Sequence, residues 1–302
     1  MKNSFGLKSL TYVAIGLFMF LSSCKDNNTI DFTASDAANV EGEATSDAYS
    51  GDALDVSTEA VNGMSAAQLG GRETETVPFS TSDKLKCATV TITRSPNATQ
   101  LTPAGTITIV FPADGSCKDG RGIARRGTIT ITYAGMKFNT GSTISTTFTE
   151  FFIGAVRIEG THTLTNVTPV GTNQYPRFNI VIAGGKATFL DGKTVTREQN
   201  FTREWQRQSD PNLDKWVLLA GGTAAGSNRN GRTYTMSITK DLVYSRACQI
   251  SNKVFIAVSG EKSFVSDSKS VTINYGEGAC DNIVTITING KSKDVTINGD
   301  GN

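Results

Sequence analysis

His162 is the chain's only histidine, so at most one imidazole is present for a nucleophile–base pair, and histidine-rich metal sites and zinc-peptidase HExxH patterns are excluded. It shares strand parity with Ile158 and Leu164, which predicts a half-buried structural histidine. No serine stands in a Gly-x-Ser-x-Gly elbow. Gly192-Lys193-Thr194 and Gly290-Lys291-Ser292 look like the ends of phosphate-binding loops. Ala187 and Thr285 occupy the required first glycine, so both read as hairpin turns. Paired carboxylates can hydrolyse glycosidic bonds without histidine, and Glu150, Glu159, Glu198 and Glu204 lie in strand-like text. Alternation puts such residues on a solvent face. Asp114, Asp119 and Asp281 lack the Asp-x-Asp-x-Asp-Gly spacing of a calcium loop and point instead to Asx turns. No catalytic, metal or cofactor-binding residue is assigned.

The cations carry more chemistry. Arg121, Arg125 and Arg126 crowd a glycine-flanked insertion, while Arg197, Arg203 and Arg207 surround Trp205. Trp216 follows a Ser209-Asp210-Pro211-Asn212 turn and is expected to face Trp205 across two strands. Arginine beside tryptophan suits polyanions or sugars, through paired hydrogen bonds and stacking. Arg121, Arg125, Arg126, Arg203, Trp205 and Trp216 are therefore the candidate ligand contacts. The competing reading is a cross-strand aromatic pair among solvated charges.

Four cysteines remain once Cys24 is set aside, and they allow three pairings. They fall in two similar segments. Cys87-Ala-Thr-Val-Thr-Ile leads to Asp-Gly-Ser-Cys117, and Cys248 leads through Val254-Phe-Ile-Ala-Val to Glu-Gly-Ala-Cys280, at spacings of 30 and 32. Each runs on into a Thr/Ile strand ending at Gly135 or Gly290. An internal duplication favours pairing within each copy, Cys87–Cys117 and Cys248–Cys280. Direct opposition of the cysteines would put Ile107 and Ile109 on the face of Thr89 and Thr91, so a bulge is expected at Gly115 and Gly278.

The elements behind these residues are strands. From about residue 76 apolar and hydroxyl residues alternate, as in Thr128-Ile129-Thr130-Ile131-Thr132, and Asp191-Gly192, Asn230-Gly231, Asn289-Gly290 and Asn298-Gly299 supply hairpin turns. The expected fold is all-β, an antiparallel meander of β-hairpins with internal duplication, either a sandwich or a long curled sheet. No helix is expected beyond residue 80.

The chain before the strands differs in kind. Residues 25–75 hold eleven acids against Lys25 and Arg72, a balance of −9, whereas residues 76–302 hold 25 cations against 17 anions, a balance of +8. The acidic stretch reads as a linker. Within it, Tyr49, Ala53, Val56, Ala60 and Met64 recur at helical spacing and mark a candidate short helix at about 46–62. Ahead of it, Lys2 and Lys8 precede an apolar run from Leu10 to Leu21, too short to span a membrane and of signal-peptide length. Ser22-Ser23-Cys24 then resembles the lipobox at which bacterial lipoproteins are cut and lipidated on the cysteine. Lys25-Asp26 resembles the export signal of surface-exposed Bacteroidetes lipoproteins. With Gly-x-Cys-x-Asp, Gly226-Ser-Asn-Arg-Asn-Gly-Arg232 and Cys280-Asp-Asn, the sequence resembles uncharacterised envelope lipoproteins of that group.

The resemblance implies a signal peptide over 1–23, a lipidated Cys24 with an acidic linker over 24–75, and a duplicated all-β body over 76–302. It implies outer-membrane attachment through the lipid, facing the cell surface if Lys25-Asp26 is an export signal and the periplasm if it is only a hydrated tether, but no activity. The expected function is a non-enzymatic binding or structural module, with an anionic glycan or an envelope protein as partner and no nucleic acid. The alternative is a carboxylate-dependent glycoside hydrolase acting on extracellular polysaccharide.

Overall fold

The alternating text folds as strands in the structure, a computed structural model that describes residues 49–70, 74–79, 82–120, 122–171, 175–252, 254, 256–266 and 269–296. Cys24, the expected signal peptide and Arg121 lie outside the described residues. The first strands are β1 Glu75–Val77, β2 Thr89–Arg94, β3 Ala104–Phe111, β4 Cys117–Lys118, β5 Ala124–Ala134, β6 Thr143–Ile153, β7 Val156–Asn166 and β8 Arg177–Thr188. They continue as β9 Thr194–Gln206, β10 Lys215–Leu218, β11 Thr223–Ser227, β12 Thr233–Ser245, β13 Ser259–Ser266, β14 Lys269–Glu277, β15 Ile283–Ile288 and β16 Lys291–Thr296. All join one antiparallel sheet in meander order. β4 adds to β5, and β10 and β11 lie end to end between β9 and β12. The expected antiparallel meander forms, as one continuous hydrogen-bonded sheet. Its outer edge β16 is exposed and carries Lys291, Lys293 and Asp294, which discourages further strand pairing.

Side-chain alternation gives the sheet two chemistries. In β2, Val90 and Ile92 point inward while Thr91 and Thr93 point outward, and in β5 Ile129, Ile131 and Tyr133 are buried between outward threonines. Register shifts at Arg126/Thr128, Thr147/Phe151, Glu159/Thr161 and Ile182/Gly185 line up across β5 to β9 and coil the sheet there. Gly127 sits at φ 94° where a Cβ would fall 1.9 Å from the carbonyl oxygen of Glu150, so that crossing requires glycine.

The compositional boundary at residue 75 is not the packing boundary. A helix, α1, covers residues 49–62, and a second, α2, covers Ala66–Gly70. α1 buries Val56, Ala60 and Val61 in one apolar cluster with Val90, Ile107, Ile129, Phe151 and Val195, so it lies against the inner face of β2 to β9. Its acids meet basic partners: Asp52 contacts Arg125 at 2.8 Å and Lys84 at 2.8 Å. Part of the expected linker is therefore core. A separate apolar cluster spans β9 to β15 and includes Phe201, Met236, Phe264 and Ile273.

Both disulfides form, Cys87–Cys117 and Cys248–Cys280, with Cα–Cα distances of 5.4 and 5.1 Å. The expected bulges at Gly115 and Gly278 do not set the register. β2 and β3 pair without interruption, Val90 opposite Ile109 and Ile92 opposite Ile107. Cys117 reaches its partner because the chain turns out at Pro112–Gly115 and re-enters the sheet as β4 beside β5. In the second copy β13 begins only at Ser259, later than the expected Val254–Val258 strand, and its register shift lies between Ser259 and Glu261. Residues Arg246–Asn252 form a helix, α3, against the expectation of none beyond residue 80. At seven residues it is too short to show apolar periodicity, and Ser245 Oγ caps it by accepting from Cys248 N at 3.4 Å.

Candidate functional site: a cationic–aromatic cluster

Strand parity puts Arg203 and Trp205 on the inner face of β9, in line with Val195 and Phe201. β10 returns beside β9 with Trp216 opposite Trp205 and Leu218 opposite Arg203. The connection is set by local hydrogen bonds. Asp210 accepts from Asn212 N at 2.9 Å to start a 3-10 turn at Pro211–Leu213. Asp214, itself buried, accepts from Gln208 N at 2.8 Å and from Trp205 Nε1 at 2.9 Å, which fixes the indole.

The two indoles stack with centroids 4.9 Å apart and planes at 22°. Arg207 lies 4.0 Å over Trp205, and Arg203 lies 4.9 Å over Trp216. The indole faces are thus taken by one another and by guanidinium groups. A ligand would meet N–H edges rather than a bare aromatic platform.

A second segment converges on the same end of the sheet. The β5–β6 connection is held by Ser142 Oγ and Asn166 Nδ2, which both donate to the carbonyl of Lys137, at 3.0 and 2.8 Å. This places Phe138 6.2 Å from Trp205 and 6.1 Å from Phe178, with Arg207 4.9 Å over the Phe138 ring. Lys137 Nζ donates to Asn62 Oδ1 at 2.8 Å, at the end of α1. Lys137, Arg203 and Arg207 therefore gather with four aromatic rings. Among the described residues none of the three makes an ion pair. Burial, reinforced by repulsion from Arg203 and Arg207, pulls the Lys137 ammonium down to about 8. Burial also lowers Arg203, which Asp55 of α1 partly offsets, and Arg203 Nε is buried without a hydrogen-bond partner. Sequence reasoning found the tryptophans and arginines. It missed Lys137 and Phe138, whose loop gives no sign of reaching β9 some 70 residues away.

The remaining candidates lie elsewhere. Arg125 is 1 % exposed and bonded to Asp119 Oδ2 at 2.9 Å and to Asp52. It is thus a structural cation that anchors α1, not a ligand contact as expected. Arg126 points to the opposite face and stacks 3.7 Å over Phe152. Arg197 is buried beside the inner-face histidine and donates to Gln199 Oε1 at 2.8 Å, away from Trp205. His162 is fully rather than half-buried, packed edge-on against Phe148 at 5.1 Å. Burial, with Arg197 adding repulsion, lowers it to about 4.

The strand glutamates each have a partner. Glu150 and Glu159 pair with Arg157 and Lys186 on the outer face, and Glu204 pairs with Arg177 at 2.6 Å. Asp114, Asp119 and Asp281 make Asx-type bonds to Ser116, Ile123 and Ile283 backbone N–H groups. No group of metal-ligating side chains occurs among the described residues, and none of their helices is long and apolar enough to cross a membrane. No family model, curated protein or solved structure matches the chain.

Proposed function

We propose that the protein is a lipid-anchored bacterial envelope module, non-enzymatic, that binds an anionic ligand through Lys137, Arg203 and Arg207. The observation that carries this reading is three cations gathered on aromatic rings with no ion pair among the described residues. The stacking pre-orients the guanidinium groups, so less side-chain entropy is lost on binding, and a cation on an aromatic face keeps its hydrogen-bonding edges free. A carboxylated or sulfated glycan fits this surface, since such a ligand presents anions along a chain and needs no bare indole face. The sequence at Ser22-Ser23-Cys24 supports the lipid anchor. Three acyl chains on the cysteine would hold firmly, because a single chain holds only marginally.

The test is retention of the full-length protein on an array of carboxylated and sulfated glycans, at low and high salt. Retention that weakens with salt and falls about tenfold in Arg207→Ala is expected. No retention at any salt, or retention unchanged by Arg207→Ala, would overturn the reading. Mass spectrometry of the native protein carrying an unmodified N-terminus would overturn the anchor separately.

A further inference from the structure

Lys137 is an amine held against an electrophile of its own chain. Its Nζ donates to Asn62 Oδ1 at 2.8 Å, across 75 residues of sequence. The ring centroids of Phe138 and Phe178 lie 5.5 and 5.9 Å from that nitrogen, while Asn62, the last residue of α1, is exposed. The charged groups that face the amine are Arg203 on β9 and Arg207 just beyond it, both of its own sign. α1 turns Asp55 towards Arg203, and Arg177 at the start of β8 is held by Glu204 at 2.6 Å. Burial, then the two guanidinium groups, bring the amine to about 8. Near neutral pH roughly a tenth of it is therefore free base, against about one part in a few thousand for an ordinary lysine.

We propose that Lys137 and Asn62 join spontaneously in a side-chain amide bond that ties α1 to the β5–β6 connection. The free amine attacks Cγ of the Asn62 amide. A bond forms between Nζ and Cγ, and the bond from Cγ to Nδ2 breaks. One amine proton passes to the departing nitrogen through water on the exposed side of Asn62, and ammonia leaves. One amide replaces another, so no oxidant, reductant or cofactor is consumed. Two groups held in contact react as one molecule, and good positioning is worth an effective concentration of about 10⁵–10⁸ M. Gly63 follows Asn62, the arrangement in which a backbone nitrogen commonly attacks the asparagine side chain. Here Gly63 N donates to Glu59 O at 2.9 Å in the last turn of α1, which withdraws it and leaves the lysine as the nucleophile at hand. The bond fastens the helix that covers the inner face. It closes 75 residues, more than the 30 and 32 of the disulfides, so it removes more freedom from the unfolded chain. It bears on the anion site without resting on it: in a joined chain Lys137 is uncharged and Arg203 and Arg207 meet the ligand, whereas in an open chain all three do.

The experiment is intact-mass spectrometry and tryptic peptide mapping of the full-length protein during incubation at neutral and alkaline pH. A mass lower by one ammonia is expected, with a joined peptide that holds both Asn62 and Lys137. Conversion should run about tenfold faster near pH 9 than near pH 7, because the free-base fraction of an amine titrating at about 8 rises by that factor. Lys137→Arg, which keeps the charge, and Asn62→Ser, at an exposed position, should both hold the unjoined mass while still unfolding cooperatively. Ammonia loss that persists in Lys137→Arg would overturn the inference by assigning it to the Gly63 nitrogen. Conversion of Asn62 to aspartate without a joined peptide would overturn it by making water the nucleophile. An unjoined mass that stays constant through both incubations would overturn it outright.

Discussion

Removing residues 1–75 at the compositional boundary should unfold the sheet, not liberate it. α1 buries Ala53, Val56 and Ala60 completely and Val61 at 6 % exposure, and Met64, just beyond its end, is 7 % exposed. Burying a valine or methionine contributes about 1.5–3 kcal/mol, so Val56, Val61 and Met64 together supply about 5–9 kcal/mol. That is an upper bound, because an unfolded chain already buries some apolar surface. The cut also strips Asp52 from Arg125, leaving a buried guanidinium on Asp119 alone, at about 3 kcal/mol for a partly broken buried pair. The total rivals the roughly 5–15 kcal/mol that stabilises a typical domain. Urea unfolding of a chain beginning at residue 44, followed by tryptophan fluorescence and near-UV circular dichroism, should be cooperative. A chain beginning at residue 76 should lack a cooperative transition, and a peptide of residues 44–70 should restore one. Equal midpoints for the two chains would refute the reasoning, since α1 would then be a passenger on an independently stable sheet.

Three further outcomes follow from the buried charges. Asp119→Ala should cost about 3–5 kcal/mol in urea unfolding, because it leaves Arg125 with a single partner, and Arg125→Met should cost at least as much, because it leaves the buried Asp119 carboxylate beside Asp52 without its cation. His162 stays neutral down to about 4 when folded but takes a proton near 6.5 when unfolded, so its contribution is complete above 6.5 and lost as pH falls towards 4. The loss over that window is about 3 kcal/mol, and His162→Gln should flatten this acid limb in pH-dependent thermal melts. Lys137 titrates near 8 instead of 10.5, so affinity for an anionic glycan should decline as pH rises through about 8. Lys137→Arg should remove that decline in calorimetric titrations across the range.

The strand alternation made the sheet legible because side chains of period two have only one way to bury one face. The disulfides were legible for a related reason: the duplicated segments place each pair at the ends of one hairpin. Its register was not, because the rule that cysteines sit opposite one another ignores a chain that leaves the sheet at Pro112 and returns as β4. The function of Arg125 was illegible too. An arginine beside glycines reads as exposed, and its partner Asp52 stands 73 residues away. Trp205 and Trp216 were readable from the intervening turn, whereas Lys137 joins them only through sheet curvature that no local pattern records.

The charge asymmetry along the chain carries the deeper logic. An acidic arm followed by a basic body reads as a linker and a domain, yet the two segments neutralise each other inside the fold. Asp52 serves Arg125 and Lys84, Asp55 reaches Lys84 at 3.6 Å, and Glu75 of β1 holds Arg94 at 2.9 Å. Hydrogen bonding to Arg94 lowers the Glu75 carboxyl, which keeps that pair charged. Buried cations are tolerable only when paired. The arm therefore supplies what the sheet's inner face demands, and its order is enforced by electrostatics as well as by Val56 and Val61. Lys137, Arg203 and Arg207 make no ion pair among the described residues, and they collect beside α1, where Asn62 accepts from Lys137 and Asp55 attracts Arg203. Their charge is thus met by α1 only through one amide and one distant carboxylate, in contrast to the close pairs that Asp52 makes with Arg125 and Lys84.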